Sequence, residues 1–414
     1  MQRNWSLGFC LMPILLCAGG CTLGPTVLRQ SRFEYNDAIQ RTTDEQLLLN
    51  LVRLRHRKSP LFLEVSHVFV RYDYEQSVSL DGEIVENVGP NPITPDTLKP
   101  GGSLKFTEKP TLSLSPLQGE EFVTRILSPI SIENLILLQR SGWGVDRVFR
   151  LGVQRINHLD NASSASGPTP AHPPVYEEFL ALSKSLRQLQ IRGAIEFGYQ
   201  SHEVDLAPPV SLDRVRPSDI IEAAEHRCRF RTAEDGAKVV LCRNERLLEL
   251  SIHEQWRNSP EVIEIMKLLQ LTPGRKSYPV EPDVADLAHL STTDTETDHV
   301  SIGTRSLLGV LFYLSQGIEC PESQVNDGLI AETRHVNGSR FDWSSLFGDI
   351  FRVRSQKMRP LRAAVTVFYR GYWYFIEETD HASLSTFALL SEMFALQAGS
   401  AKHAGPIVSL DLGT

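Results

Sequence analysis

The sequence predicts an α+β protein, a mixed and mostly antiparallel sheet with covering helices, arranged in two subdomains. Three observations carry that expectation. Runs rich in β-branched and aromatic residues alternate with runs of helical periodicity, as where Leu61–Leu80 is followed by Glu120–Arg140. Two segments, Thr304–Gln316 and Leu384–Gln397, are apolar nearly all around as helices, so they must be buried. Between them lie strand-like runs near Ile350–Arg354, Ala363–Tyr369 and Tyr372–Glu377, so this part reads as sheet covered by helices. With 414 residues, 41% hydrophobic and 22% charged, the chain can bury one large core or two smaller ones, which excludes a disordered tail and a small disulfide-framed peptide.

From Asn36 to about His56 the pattern is helical: Thr43 and Gln46 have capping-box spacing, and Leu47, Leu51 and Leu54 recur on one face beside Leu48 and Val52. Pro60 ends it. Leu61–Leu80 is long for one strand, so a bulge or bend is expected, with a hairpin return at Asp81-Gly82. Asn87 to Gly102, with its prolines and glycines, reads as an exposed loop. Leu104–Leu114 is a second strand run. Helices follow over Glu120–Leu127 and Ile132–Arg140, separated by Pro129, with Ser131 the expected N-cap and Gly142 the stop.

Asn161–Pro174 is a Ser/Pro-rich linker without periodicity, and the stripe Phe179, Leu182, Leu186 and Leu189 then marks a helix ending before Gly193. Ala207-Pro208-Pro209 sets a boundary near residue 205, between regions 36–205 and 206–414. Beyond it the spacing predicts a helix near Ser218–Glu225, strands over 227–232 and 237–252, a helix over Pro260–Leu271 and a polar loop from Thr272 to His299.

At the N-terminus, Arg3 precedes an apolar run from Leu7 to Cys17, and Ala18, Gly19 and Gly20 stand directly before Cys21. This is the layout of a secretory signal over residues 1–20, too short to span a bilayer as a mature helix. The residues before the cysteine resemble the lipobox of bacterial lipoproteins, whose strict form has Leu where this chain has Cys17. The resemblance implies that Cys21 is acylated on its sulfur and amino group and that residues 21–35 form a tether. Two or three acyl chains, at ~0.8 kcal/mol per buried CH₂, hold a domain on a membrane where one does not. Thr22 replaces the Asp that would resemble an inner-membrane retention signal, so the resemblance favours the outer membrane of a Gram-negative cell, facing the periplasm. The stretches Asp44–Arg55, Ser115–Phe122, Arg305–Ser315 and Arg370–Trp373 resemble a family of uncharacterised bacterial lipoproteins. That resemblance implies an envelope location and a shared fold, and it carries no catalytic residue.

Reaction signatures do not emerge. Gly-x-Ser-x-Gly, Ser-x-x-Lys, Gly-x-Gly-x-x-Gly and a phosphate-binding loop are missing from the sequence. His253-Glu254 begins a zincin-like run, but Arg257 stands where the second histidine would face the metal. His226 and Cys228 are a close pair of soft ligands that would need two more from distant sequence. Glu120-Glu121 and Glu377-Glu378 are adjacent and point to different faces, unlike the opposed carboxylates of a glycosidase. No metal or cofactor is therefore expected and the catalytic residues stay unknown. A net charge of −8 without a lysine-rich block argues against nucleic acid.

Three features remain. A three-residue loop from Glu234 to Gly236 would set Cys228 opposite Cys242, a candidate disulfide in an oxidising compartment, leaving Cys320 as a free or buried thiol. Arg53, Arg55, His56, Arg57 and Lys58 end the first helix, where cations complement the macrodipole; contact with anionic headgroups is the alternative. If Arg370-Gly371 is a two-residue turn, Tyr369 pairs with Tyr372, Phe368 with Trp373 and Val367 with Tyr374, and both apolar faces of that ribbon read as core. The function these features favour is that of a lipid-anchored envelope accessory or scaffold, acting without catalysis through an envelope protein partner. The alternatives are a tethered hydrolase with a noncanonical site and a receptor for a small ligand.

Overall fold

Leu47, Leu48, Leu51, Val52 and Leu54 are all buried, as their spacing predicts, on a helix α1 that runs from Leu23 to Arg55 in a computed structural model of the chain. The structure describes residues 23–83, 97–233, 236–283, 298–398 and 408–411, so the expected signal segment and the expected acylation site Cys21 lie outside the described residues. The expected capping box at Thr43 is not used. The hydroxyls of Thr42 and Thr43 bond back to the carbonyls of Ala38 and Ile39 inside a helix that began well before Asn36.

After α1 come β1 (Phe62–Glu83), β2 (Thr97–Leu117), α2 (Glu120–Leu127), α3 (Ile132–Arg140), α4 (Val145–Gly152), β3 (Val153–Ile156), β4 (Leu159–Asp160) and α5 (Glu177–Ile191). There follow β5 (Ile195–Asp205), β6 (Val210–Ser211), α6 (Pro217–Glu225), β7 (Cys228–Thr232), β8 (Lys238–Ile252), α7 (Pro260–Leu268), β9 (Ser277–Pro282) and β10 (Val300–Thr304). The last elements are α8 (Leu307–Ser315), α9 (Glu322–Asn326), α10 (Ser344–Phe347), β11 (Arg354–Gln356), β12 (Ala363–Tyr369), β13 (Tyr372–Glu377), α11 (His381–Ala398) and β14 (Val408–Asp411). The protein is α+β, with helices over 42% and strands over 28% and mostly antiparallel sheets.

The described residues form two units, one within 23–43, 61–122 and 408–411 and one comprising 44–60 with 123–398. The expected division near residue 205 falls inside the second unit. It cannot separate domains, because β5 on one side of it pairs with β8 on the other along eleven positions.

In the first unit β1 and β2 pair antiparallel over twenty-one positions, from Phe62 opposite Leu117 to Glu83 opposite Thr97. The expected bulge is present, between Val65 and His67. The expected return at Asp81-Gly82 is not, since these residues pair with Lys99 and Leu98, and β2 takes the last part of the predicted loop. β14 adds to β2 alone, at Thr111–Leu114.

The second unit holds an eight-stranded sheet in the order β4-β3-β10-β9-β8-β5, with β6 and β7 also on β8; only β9 and β10 run parallel. The α5 stripe Phe179, Leu182, Leu186 and Leu189 is fully buried, and Ser131 caps α3 by accepting from the Asn134 N–H. The supposed linker after Asn161 is packed instead: Asn161, Ala162, Ala165 and Thr169 are buried, because small side chains let it lie close to α8, where the Gly309 Cα region meets Ser166. The predicted polar loop contains β9, whose buried Tyr278 and Val280 alternate but are interrupted by Pro279 and Pro282.

A second sheet in this unit has the order β11-β13-β12. Its hairpin register is the one the sequence predicts, Tyr369 with Tyr372, Phe368 with Trp373 and Val367 with Tyr374. Arg370 and Gly371 both have positive φ, 48° and 85°, as a type I′ turn requires. The two faces are not equally covered. Val367, Tyr374 and Ile376 are buried on one face, whereas on the other Phe375 is buried but Phe368 is 56% exposed and Trp373 half-buried beside it.

Candidate functional site

The C-terminal end of α1, the chain leaving α8 and the segment from Glu332 to Arg352 enclose a cavity of about 500 Å³. Its lining includes Arg55, Cys320, Phe341, Trp343, Phe347 and Phe351. Gly317 also borders it. A Cβ there would lie 3.0 Å from the Phe351 ring and 3.1 Å from the Phe351 carbonyl, so the close approach of these two segments depends on glycine.

Arg55 is only 5% exposed. Its Nε donates to Cys320 Sγ at 3.2 Å, and its Nη1 donates to Thr169 Oγ1 at 2.7 Å, Gln316 Oε1 at 3.0 Å and the Ala331 carbonyl at 3.3 Å. All four acceptors are neutral groups. No carboxylate among the described residues pairs with this guanidinium, and Nη2 has no hydrogen-bond partner.

The other two guanidiniums lining the cavity are paired with carboxylates, whereas Asp342 is held by neutral donors. Arg340 Nε lies 2.6 Å from Glu332 Oε1, Arg334 holds the other oxygen of Glu332 at 2.5 Å, and Arg352 Nε donates to Glu319 Oε1 at 2.7 Å. Asp342 accepts from both the hydroxyl and the backbone N–H of Ser344, which holds its carboxyl below the usual range. The indole N–H of Trp343 is buried without an acceptor. Trp343 packs edge-on against Phe341, with ring centroids 5.0 Å apart, and tilted against Phe347 at 6.1 Å.

Arg305 shows what a satisfied buried guanidinium looks like in the same unit. It donates to the carbonyls of Arg150, Leu151, Val153 and Asn161 and to Ser166 Oγ, and burial lowers its pKa to about 10. Arg150 is likewise matched, by a bidentate pair with Asp349 at 2.7 and 2.8 Å. A second, more open cavity of about 730 Å³ is bordered by His158, Arg275 and Asp298, and there the two opposite charges pair with each other at 3.2 Å.

The basic cluster at the end of α1 divides. Arg55 and His56 are buried, which corrects any reading of the whole cluster as a headgroup contact; His56 places its ring nitrogens at 2.9 Å from the Val52 carbonyl and 3.0 Å from Gln324 Oε1. Arg53 bonds Asn50, and Arg57 bonds the Thr169 carbonyl. The site value of Arg55 was hidden because its acceptors come from residues more than a hundred positions away.

The candidate disulfide is not formed: Cys228, Cys242 and Cys320 are free thiols. Thr232 pairs with Val239, one residue out from the expected register, so Cys228 faces Arg243 and Cys242 faces Arg229. A one-residue slip sends the two cysteines to opposite faces of the sheet. Cys242 is instead buried under the Glu203 carboxylate, with Sγ 2.9 Å from Oε1, while Cys228 bonds the His226 carbonyl. Among the described residues no group of three His, Cys, Asp or Glu side chains could hold a metal ion, the His226–Cys228 pair included.

No family model matches the chain, and neither curated proteins nor solved structures provide a match. Among the described residues no helix is long and apolar enough to cross a membrane.

Proposed function

We propose that this is a lipid-anchored protein of the bacterial cell envelope, held at the outer membrane through Cys21, which acts as a non-catalytic accessory through protein contacts. The observation that supports this most is the β1–β2 ribbon. Each strand has more than twenty residues, a span of about 70 Å at ~3.4 Å per residue, whereas a strand that only serves a core needs five or six. Among the described residues β14 covers four positions of β2 and no strand covers the outer edge of β1. An open edge of that length offers backbone donors and acceptors to another chain. The acids lining the cavity favour the same reading over hydrolysis, since Glu319, Glu332 and Asp342 are all held in fixed hydrogen bonds.

Photo-crosslinking in intact cells tests the reading. A crosslinking residue replacing Phe69, which is 62% exposed on β1, should give a discrete adduct with an envelope protein; one replacing the fully exposed Leu361 should not. Cys21→Ala should abolish both fatty-acid labelling and the adduct. Labelling that persists in that variant ends the anchor, and equal adducts from both positions, or none from Phe69, end the contact role.

A further inference from the structure

We propose that the Arg55 cavity binds a small organic monoanion, a carboxylate carried on an apolar body. Of the three guanidiniums lining the cavity, Arg340 and Arg352 are neutralised by Glu332 and Glu319, and Arg55 alone has no counter-charge. The exposed Asp342 carboxylate balances the formal charge of the lining but forms no ion pair with Arg55, so the buried guanidinium itself lacks a contacting anion, which is costly beside an open volume.

The unmet hydrogen bonds match that deficit. Arg55 Nη2 and Trp343 Nε1 are donors without acceptors, and both residues line the same cavity. A carboxylate is acceptor-only and singly charged, and a guanidinium edge suits it. A phosphate dianion fits less well: one unpaired cation leaves its second charge facing walls that already hold Glu319, Glu332 and Asp342. Phe341, Phe347 and Phe351 supply apolar surface for the rest of the molecule, and about 500 Å³ lies within the range of small-ligand sites. The inference stands apart from the ribbon, because binding here needs neither lipid nor protein partner.

Calorimetric titration of the full chain in detergent and carboxylate-free buffer tests it, with 1-naphthoate as the probe, 1-naphthamide as its neutral twin and 1-naphthyl phosphate as the dianion. The naphthoate should bind about tenfold tighter than either. Arg55→Gln should remove that advantage and leave amide binding unchanged. Trp343→Phe keeps a ring in place but removes the N–H, and should weaken the naphthoate roughly threefold. It decides the matter if Arg55→Gln does not fold. Equal binding of amide and carboxylate, tighter binding of the phosphate, no binding at millimolar concentration, or wild-type affinity in Trp343→Phe or folded Arg55→Gln would overturn the assignment.

Discussion

The guanidinium carbon of Arg305 lies 4.0 Å from the centre of the Tyr313 ring, and both side chains are buried. Arg305 precedes α8 and Tyr313 stands within it, so the ring closes over the guanidinium while its N–H groups reach the end of α4. Carbonyls at a helix C-terminus lack partners within the helix and carry the negative end of its dipole. One cation therefore ties α4, β3 and the Asn161 segment to α8.

Asp349 is the counter-charge of buried Arg150. Burial raises its carboxyl pKa, but the hydrogen bonds and charge of Arg150 outweigh this, and the net effect is a value below the ordinary 3.8. A depressed acid stabilises the fold above its unfolded pKa and loses that contribution as pH falls through the folded one. Asp349→Asn should cost about 2–3 kcal/mol at pH 7, reduced from a fully buried pair because Asp349 is half exposed. Urea titrations should show the gap to wild type closing below about pH 3.8. A gap that stays constant with pH would remove the pair from the stability account.

Thiol accessibility separates the two hairpin cysteines. Burial pushes the Cys242 thiol up, and its hydrogen bond to Glu203 adds to this, so less thiolate is present. Under native conditions Cys228 should react with a maleimide at least roughly tenfold faster than Cys242. After denaturation without reductant, mass spectrometry should find both alkylated. A reductant-dependent mass shift would restore the disulfide.

The aromatic hairpin divides into two energetic classes. Trp373 is half-buried, 5.2 Å from the exposed Phe368 ring and with Arg359 5.3 Å from its own, so Trp373→Ala should cost about 1–2 kcal/mol. Fully buried Tyr374 bonds Gln324 through its hydroxyl, and Tyr374→Ala should cost about 3–5 kcal/mol. Equal melting losses for the two variants would show that the outer face is covered after all.

What the sequence made legible was local. The α5 stripe, the Ser131 cap and the Arg370-Gly371 register depend on residues near one another in the chain. The β7–β8 loop shows how narrow the margin is, since one extra residue moved Cys228 to the other face. The Arg55 cavity was out of reach for a different reason. A cation at a helix end has a sufficient local explanation in the macrodipole, and only its acceptors at Thr169, Gln316, Cys320 and Ala331 show that the charge is buried and unmatched.

Arg305 allows the sharpest contrast with Arg55. Replacing Arg305 by Met retains apolar volume beneath Tyr313 but removes the buried donor to the carbonyls of Leu151 and Asn161, where each unmet group costs about 1–3 kcal/mol, while the Val153 carbonyl keeps its bond from Asn161 Nδ2. Some relaxation is available at a helix end, so Arg305→Met should lose about 3–5 kcal/mol in urea unfolding. Lys in its place keeps a charge but lacks the planar fork that reaches several carbonyls at once, so Arg305→Lys should recover less than half of that loss. Arg55→Met differs in kind, because it removes a charge that has no ion-pair partner among the described residues. It should cost about 2 kcal/mol less than Arg305→Met without ligand, and it should lose the stabilisation that wild type gains from 1-naphthoate. Matching unfolding midpoints for Arg305→Met and Arg55→Met, with and without the probe, would mean that the two guanidiniums are equally structural.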